Sequence, residues 1–288
     1  MVGTTEGLFH LTDAGAEPVS SSATRAMSGN WAIVEDSGVV SLDGGVTATT
    51  APLSAHCLTS LGDGALVGTE RARLFTVAAD GAVSPVVSFD RIPTRDDWYT
   101  PWGAPPDTRS LTVTADGVAL VNVHVGGVWR GSLDGDDWTE VVAVDDDTHS
   151  VVAASSGSRV VIAAAVGFGS SVDGGQTFTW TDDGLHGSYC RAVAFAGDHV
   201  LLSASTGPFT KKGAVYRRPI GGDGPFERCT SGLPEWFPYN IDTFQLSADD
   251  RLAVFGTDDG EVYVSEDEGS TWTLAAKDLP AVRCFALR

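Results

Sequence analysis

The sequence predicts an all-β protein, a seven-bladed β-propeller of four-stranded blades, on three observations. Helical periodicity is almost absent along the 288 residues. Short runs rich in Val, Ala, Thr and Phe are separated by Asp-Gly or Gly-Asp turns, which is the pattern of consecutive β-strands. A unit of about 40 residues also recurs along the chain, and four strands in that length make one propeller blade.

The repeat is clearest in residues 148–180, 189–229 and 240–276. Each segment reads as a first strand, an apolar strand, an aromatic strand and a short last strand, with turns between them. First strands are predicted to open near Thr24, Ala55, Thr108, Thr148, Cys190, Ile241 and Val282. We assign a single domain over 1–288, with blades one to seven at 281–288 plus 1–20, 22–53, 54–89, 107–145, 147–187, 188–235 and 239–280.

Blade one is predicted to combine the two ends of the sequence. Residues 281–288 read as a first strand with no blade behind it, whereas residues 2–20 read as second, third and fourth strands with no first. The two fragments complete each other. We therefore expect the C-terminal strand to join the N-terminal blade and to close the ring without a free sheet edge.

Charge and composition exclude several classes of function. The 38 acidic and 18 basic residues give a net charge of -20, which repels nucleic-acid phosphates and anionic membranes. No apolar run is long enough for a membrane span or a signal peptide, so we expect a cytoplasmic protein. The four cysteines lack CxxC or metal-type spacing, so we expect buried thiols and neither a metal nor another cofactor.

The kind of acidity resembles that of proteins from salt-loving archaea. Asp outnumbers Glu by 28 to 10, and Arg outnumbers Lys by 15 to 3. At molar salt the screening length falls to about 3 Å, so such a charge is tolerated there. An ordinary acidic secreted protein is the alternative interpretation.

Turns between third and fourth strands carry a recurring motif. Ser265, Asp267, Gly269, Thr271 and Trp272 fit the pattern S-x-D-x-G-x-T-W, and Ser171, Asp173, Gly175, Thr177 and Phe178 fit it with Phe as the aromatic. Ser132, Asp134 and Trp138 form a degenerate copy, and Ser41, Asp43 and Gly45 a fainter one. Asp can accept backbone N–H bonds inside such a turn, Gly takes a positive φ, and the aromatic ring holds the turn against the blade.

This motif resembles the aspartate box of BNR-repeat propellers in the sialidase-like superfamily. The chain is also similar, at the level of its repeats, to photosystem II assembly-factor-like propellers and to WD-repeat and YVTN-like propellers of haloarchaea. The resemblance implies that the boxes are structural and lie on the face away from any active site. It therefore supports the fold and says little about chemistry.

Aligned first strands place a polar or charged residue at one shared position in every blade. The next residue is small and the one after it is apolar in all seven strands. Because first strands line the channel of a propeller, this register predicts a polar ring at one mouth of the channel. The ring comprises Arg25, His56, Arg109, His149, Arg191, Asp242 and Arg283.

Two interpretations of this ring remain open. Forked guanidinium groups bind carboxylates and phosphates, so the ring can be an anion-binding mouth to which His adds a proton-dependent charge. Alternatively, the same side chains bond to carbonyl groups and neighbouring aspartates and tie the blades together. Asp242 can pair with Arg191 or Arg283. The acid run 145–147 before His149 is interpreted as a solvated turn.

Two long connections are predicted to surround the mouth with aromatic side chains. Residues 88–107 and 231–240 are stiffened by prolines, and they carry Trp98, Tyr99, Trp102, Trp236 and Tyr239. Such a rim suits sugar stacking or a protein contact, and the alternative is a plug that folds over the channel. Lys211 and Lys212 are expected on the same face and favour an acidic partner.

These features predict a non-catalytic binding or scaffold module, a monomer or a subunit of a complex, whose mouth recognises an anionic group on a protein or small ligand. The alternative is a sialidase-like or other glycoside hydrolase acting at the same mouth, which needs two carboxylates about 5–10 Å apart. The tripeptide Arg91-Ile92-Pro93 resembles a sialidase motif. It follows the third predicted blade instead of preceding the first, so we interpret it as a coincidence.

Overall fold

The short apolar runs form antiparallel strands joined by frequent glycine turns, and second strands such as Ala119–Val123 and Val160–Ala164 are buried on both faces. A computed structural model describes residues 1–35, 38–42, 47–48, 53–100 and 102–287. It shows a seven-bladed β-propeller with four-stranded blades, which confirms the predicted fold class. Within these residues the helices are three single 3-10 turns, at Phe89–Arg91, Arg95–Asp97 and Val144–Asp146. None of the described helices combines the length and apolar character needed to cross a bilayer.

The strands follow chain order within blades two to seven. Blades two to four consist of β4 to β15, at Thr24–Ser28, Trp31–Val34, Gly38–Ser41, Thr47–Ala48, Ala55–Leu61, Gly64–Thr69, Arg73–Val77, Val83–Pro85, Thr108–Val113, Ala119–Val123, Gly127–Gly131 and Thr139–Val142. Blades five to seven consist of β16 to β27, at Thr148–Ala153, Val160–Ala164, Gly167–Ser171, Thr179–Thr181, Tyr189–Ala196, His199–Ser205, Ala214–Pro219, Glu227–Arg228, Leu246–Asp249, Leu252–Gly256, Val262–Ser265 and Thr273–Ala276.

Blade one joins the two ends of the chain, as the sequence predicted. Its sheet has the order β28 (Val282–Phe285), β1 (Val2–Thr4), β2 (Leu8–Thr12) and β3 (Gly15–Ser20). Strands β28 and β1 are antiparallel, with Val2 opposite Phe285. The first strand of this blade is therefore contributed by the far end of the sequence.

The chain divides into two compact units. Residues 1–25, 163–168 and 180–288 form the first unit, and residues 26–162 and 169–179 form the second. Aromatic rings dominate the core of the first unit, where Phe255 stacks on Tyr263 with centroids 5.0 Å apart and meets Trp272 edge-on at 4.8 Å. Aliphatic side chains such as Leu66 and Leu120 are fully buried in the second unit.

The two best-matching box turns have the same internal hydrogen bonds. In one, the carboxylate of Asp173 accepts from the Thr177 amide at 3.0 Å and from the Thr177 hydroxyl at 2.7 Å. In the other, Asp267 accepts from the Thr271 amide at 2.8 Å and from its hydroxyl at 2.7 Å. Hydrogen bonds from Ser171 and Thr177 hold the pKa of Asp173 below its usual range. Gly175 has a φ of 78°, a conformation that favours glycine.

The weaker copies of the motif differ from expectation. In the turn that follows β14, the Ser132 amide donates to Asp137 at 3.0 Å, so Asp137 and not Asp134 caps this turn. The reason is that the capping carboxylate lies three residues later, closer to the following strand. For the faintest copy, Asp43 and Gly45 lie outside the described residues.

Side-chain hydrogen bonds join neighbouring blades at the start of the first strands. At each of these junctions a side chain donates to the carbonyl oxygen of the residue that opens the next first strand or the turn leading into it. The pairs are Cys57 Sγ to Thr108 (3.2 Å), Asn122 Nδ2 to Thr148 (2.9 Å), Ser203 Oγ to Ile241 (2.7 Å), Gln245 Nε2 to Val282 (2.7 Å) and Cys284 Sγ to Thr24 (3.6 Å). Buried donors and acceptors are thereby satisfied, and the strand openings are held in place.

The donor at these junctions changes strand from blade to blade. When the donor lies on the first strand, its partner on the second strand is a glycine. When the donor lies on the second strand, the neighbouring residue of the first strand is small. The first arrangement occurs in Cys57 with Gly68 and Cys284 with Gly3, and the second in Asn122 with Ser110 and Ser203 with Ala192. A Cβ at Gly68 would lie 2.7 Å from Cys57 Sγ, so a side chain fits on only one of the two strands.

Candidate functional site

The predicted ring residues lie at or just before the first strands. Arg25 and Arg283 are exposed, His56, Arg109, Arg191 and Asp242 are half-buried, and His149 is buried. The residue after the shared position is buried in most blades, as in Ala26, Cys57 and Ala192, because this side of the strand faces the blade interior. Asp242 differs from the others: it precedes β24 in a turn closed by the Gln245 amide on the Asp242 carbonyl at 2.8 Å.

In the second unit, the carboxylate of Asp107 lies between two histidines. His56 Nδ1 is 2.9 Å from one oxygen of Asp107, and His124 Nδ1 is 3.4 Å from the other. Burial alone would raise the pKa of Asp107, but hydrogen bonds from His124 and His56 outweigh it and lower the pKa well below its usual range. The carboxylate is therefore ionised at neutral pH and holds both imidazole rings.

Asp147 forms a second group with two of the predicted ring residues. Its carboxylate lies 3.4 Å from His149 Nε2 and 3.6 Å from Arg109. The contact with His149 lowers the pKa of Asp147, and the charges of Arg109 and His124 add to this effect. Asp147 follows the 3-10 turn Val144–Asp146 and its side chain is 41% exposed. The same carboxylate also binds the first strands, which the interpretation of residues 145–147 as a solvated turn did not include.

In the first unit, the guanidinium group of Arg191 is bound by neighbouring side chains. It lies 2.8 Å from Asp242 and donates to the Tyr189 hydroxyl at 3.1 Å. This is one of the two pairings that the sequence allowed for Asp242. A close pair of this kind cancels the positive charge of Arg191 toward a distant anion.

Arg25 and Arg283 remain the most accessible cations of the predicted ring. Arg283 lies 3.4 Å from Asp258, and both side chains are almost half exposed, at 42% and 46%. Arg25 is exposed at the start of β4. The two arginines sit on adjoining strand openings, because Cys284 bonds to the carbonyl oxygen of Thr24.

The aromatic residues of connection 88–107 separate into buried and exposed side chains. Trp98 is only 6% exposed, with the Arg95 guanidinium carbon 4.7 Å from its ring centroid and Trp129 at 5.7 Å. It does not belong to an exposed rim, because it fills the core beneath the connection. Tyr99 and Trp102 are exposed, at 54% and 64%, and Trp102 meets the His124 ring edge-on at 4.8 Å.

In connection 231–240 the ring of Trp236 is surrounded by basic groups. The Arg228 guanidinium carbon lies 4.4 Å from its centroid, the Lys212 ammonium 5.5 Å, and the His186 ring 4.6 Å. Tyr239 is half-buried against the aromatic core, and burial together with Asp259 raises the pKa of its hydroxyl. Trp236 is thus a partly open cation-binding ring, whereas Tyr239 is mainly a packing residue.

Sequence reasoning missed the acids that neutralise the ring. In blades four and five an Asp stands two residues before the shared position, in Asp107-Thr108-Arg109 and Asp147-Thr148-His149. This repeated tripeptide was a usable signal. His124 carried no such signal, because it lies in a connection between second and third strands that is not repeated in the other blades.

The described residues contain no group of three or more His, Cys, Asp or Glu side chains that could hold a metal ion. All four cysteines are free and buried. Burial raises the pKa of the Cys57, Cys190 and Cys284 thiols and raises that of Cys229 to about 11. These thiols are therefore protonated, and two of them serve as blade-junction donors.

Fold and site together define a β-propeller whose first-strand ends carry basic residues and whose connections carry exposed aromatic residues. Comparison of the sequence with models of protein families and with curated proteins gives no match. The structural relatives described next are all β-propellers.

Three kinds of solved structure resemble the chain. The WD40 repeats of RRP9 have a TM-score of 0.66 at 12% identity, covering 99% of this chain and 88% of that one. YCF48 from Cyanidioschyzon merolae has a TM-score of 0.60 at 16% identity, covering 93% and 88%, and a YCF48 structure bound to D1 peptide has 0.56 at 13%, covering 88% and 82%. An ancestral GH74 enzyme has 0.60 at 15% identity, where the match covers 92% of this chain but only 37% of the enzyme. Likeness at these identities shows the fold alone.

Proposed function

We propose that this chain is a non-catalytic propeller module that binds an anionic group on a protein or small ligand. In this proposal the binding groups are arginines of the predicted ring, chosen by the accessibility of their side chains. Arg25 and Arg283 are the members whose guanidinium groups are accessible. Arg109, Arg191 and the two histidines face carboxylates of their own.

The observation that carries this proposal is the pair of exposed guanidinium groups on adjoining strand openings. Arg25 follows Thr24 and Arg283 precedes Cys284, whose side chain bonds to the Thr24 carbonyl oxygen. Two forked donors held on neighbouring strands suit a carboxylate or phosphate group. The weak, exposed contact of Arg283 with Asp258 can be exchanged for a ligand at little cost.

The structural relatives support a binding role for a propeller of this size. YCF48 has been solved with a D1 peptide bound, and the RRP9 domain consists of WD40 repeats. A protein partner for this chain is consistent with these examples. The Asp-rich, Lys-poor composition further favours a salt-rich cytoplasm as the place of binding.

The alternative function is a glycoside hydrolase, the class to which the GH74 relatives belong. A glycosidase needs one carboxyl group that is protonated at the working pH and a second that is ionised. The two carboxyl groups gathered near the first strands of the second unit, Asp107 and Asp147, both have lowered pKa values. Two ionised carboxylates bound to basic side chains suit cohesion better than proton donation, so we favour the binding role.

Thermal stabilisation by citrate, a compact tricarboxylate, tests the binding role. We expect citrate to raise the melting temperature of the wild type at constant ionic strength, and we expect this rise to be lost in Arg25→Ala with Arg283→Ala. Arg91→Ala is the matched control, because Arg91 also lies 3.4 Å from an exposed acid, Asp136. An equal rise in the double variant and the wild type would exclude these arginines as the anion site.

A further inference from the structure

The connection between β21 and β22, residues 206–213, presents an exposed aromatic side chain on a fixed loop. Phe209 is 95% exposed, the highest value among the large apolar residues described. The loop beneath it is not loose. Asn240 Nδ2 donates to the carbonyl oxygens of Gly207 at 3.3 Å and Pro208 at 3.1 Å, and Ser205 Oγ donates to Asn240 Oδ1 at 2.6 Å.

The far end of the same loop is joined to connection 231–240. The amide of Gly213 donates to the carbonyl oxygen of Phe237 at 2.8 Å, and the Phe237 amide returns the bond to Gly213 at 2.9 Å. The Lys212 amide also donates to the Thr210 hydroxyl at 3.0 Å. Phe209 therefore stands on a loop that is braced at both ends, so its exposure is a property of the fold and not of a disordered segment.

Two basic side chains follow this exposed ring in the sequence, on the same loop, and one of them contacts a second aromatic ring. Lys211 and Lys212 are exposed, and they are two of only three lysines in the chain. The Lys212 ammonium and the Arg228 guanidinium group both lie against the ring of Trp236. We call Phe209, Lys211, Lys212, Arg228 and Trp236 the Phe209 platform.

The platform combines two features that are uncommon on this chain. A net charge of -20 makes a cluster of three cations exceptional, and such a cluster attracts an acidic group that comes within about 8 Å at physiological salt. The exposed side chain of Phe209, on the same loop as the two lysines, offers apolar contact area that water now covers. Cations beside an aromatic anchor are the composition of a protein-binding hot spot.

We propose that the Phe209 platform binds a short acidic peptide segment that carries an apolar side chain. The apolar side chain packs on Phe209, and flanking carboxylates pair with Lys211, Lys212 and Arg228. A short peptide segment interacts mainly with these local cations. A long polyphosphate chain would also be repelled by the acidic surface around them. This inference uses none of the first-strand arginines and stands independently of the proposed function.

Fluorescence anisotropy with labelled peptides tests the platform. The probe alternates Glu and Leu, and two matched probes replace either Glu by Lys or Leu by Ser. We expect the wild type to bind the Glu-Leu peptide and not the Lys-Leu peptide. Lys211→Glu with Lys212→Glu should weaken binding at least tenfold, and Phe209→Ala should weaken binding of the Glu-Leu peptide about fivefold while leaving the Glu-Ser peptide unchanged.

The control variant carries the same kinds of change at the opposite ends of the strands. Arg251→Glu with Leu252→Ala reverses one charge and removes one apolar side chain in the turn between β24 and β25, and it should keep wild-type affinity. Arg25→Ala with Arg283→Ala should also keep it, which separates this site from the proposed anion site. All variants are first checked for wild-type melting temperature, since the replaced side chains are exposed.

Three results would overturn the proposal. The first is a wild type that does not bind the Glu-Leu peptide, and the second is an equal loss of binding in the Arg251 and Leu252 control. The third is displacement of the peptide by an oligothymidine of the same charge at the same concentration. That third result would assign the platform to a phosphate chain.

Discussion

The described ring residues of the second unit are paired with carboxylates, whereas those of the first unit are paired only in part: Arg191 binds Asp242 at 2.8 Å. In the second unit, Arg109 and His149 share the carboxylate of Asp147, and His56 lies 2.9 Å from Asp107. In the first unit, Arg25 and Arg283 stay exposed. In the second unit an acid stands two places before the shared position, either in the same blade or in the following one.

That preceding residue is an acid where the network is closed and an alanine where the arginine is open. Asp107 and Asp147 precede Arg109 and His149, whereas Ala23 and Ala281 precede Arg25 and Arg283. Asp147 contacts His149, two residues later on the same strand opening, and also Arg109 of the preceding blade. Asp107 contacts His56 of the preceding blade. The state of a ring residue therefore depends on whether an acid opens its own first strand or the first strand of the following blade.

The largest loss of stability is expected from replacing Asn122, the junction donor that bonds to the Thr148 carbonyl oxygen between Asp147 and His149. Asn122→Ala removes hydrogen bonds to Thr148 and Ser110 at a fully buried site and leaves a cavity, so we expect a loss of about 3 kcal/mol. In the first unit, Ser203→Ala removes a smaller group and should cost about 1 kcal/mol. Urea denaturation measures the free energy of unfolding of both variants. Equal losses would contradict the expectation that the larger buried donor, Asn122, contributes more to stability than Ser203.

Asp107→Asn is expected to cost about 2 kcal/mol at neutral pH, because a charged acceptor for two histidines is lost. The folded-state pKa of Asp107 is lowered, so its contribution is complete above the unfolded pKa of about 4 and disappears as the pH falls through the folded value. The stability difference between variant and wild type should therefore shrink as the pH falls below 4. A difference that persists unchanged at low pH would argue against an ionised Asp107.

Ala281→Asp converts an open arginine into a paired one and tests the comparison directly. The new carboxylate stands two residues before Arg283, as Asp147 stands before His149. We expect citrate affinity to fall about tenfold with little change in stability, because an exposed ion pair contributes less than about 1 kcal/mol. Titration calorimetry measures the affinity. Undiminished citrate binding would show that the preceding residue does not set the state of the arginine.

The smallest effect is expected from Asp258→Asn, which removes the only acid within 4 Å of Arg283 among the described residues. Citrate should bind about twofold more tightly, and the free energy of unfolding should change by less than about 0.5 kcal/mol. Calorimetry and urea denaturation test the two parts. Weaker citrate binding would mean that Asp258 orients Arg283 instead of competing with the ligand.

The fold was predictable because the signal is repeated. Each blade repeats strand, turn and strand, so an ambiguous segment is assigned by its counterparts in other blades, and the closure by β28 follows from two incomplete repeats. The position of Asp242 was harder to predict, because residues 241–245 form a turn although their sequence keeps the spacing of a first strand. The carbonyl oxygen of the preceding residue, Ile241, still accepts the junction hydrogen bond from Ser203 Oγ.

The site was predictable only in part. The register located basic residues correctly on the strand openings, but it could not reveal which of them are neutralised by contacts from other segments. Trp98 shows the same limit: a Pro-rich connection exposes some aromatic residues and buries others, and only packing separates Trp98 from Trp102. The loop of Phe209 has no counterpart in the repeat, so the sequence carried no signal for it. Its conformation depends on Asn240, which lies in a different connection.

The pairing of β1 with β28 has a consequence for synthesis. Val2 and its partner Phe285 are 283 residues apart in the sequence, so Val2 emerges from the ribosome long before Phe285. At roughly 5–20 residues per second, the N-terminal strand waits about 15–60 s for its neighbour. Throughout that interval β1 has an unpaired edge, which is available for wrong strand pairing in the nascent chain.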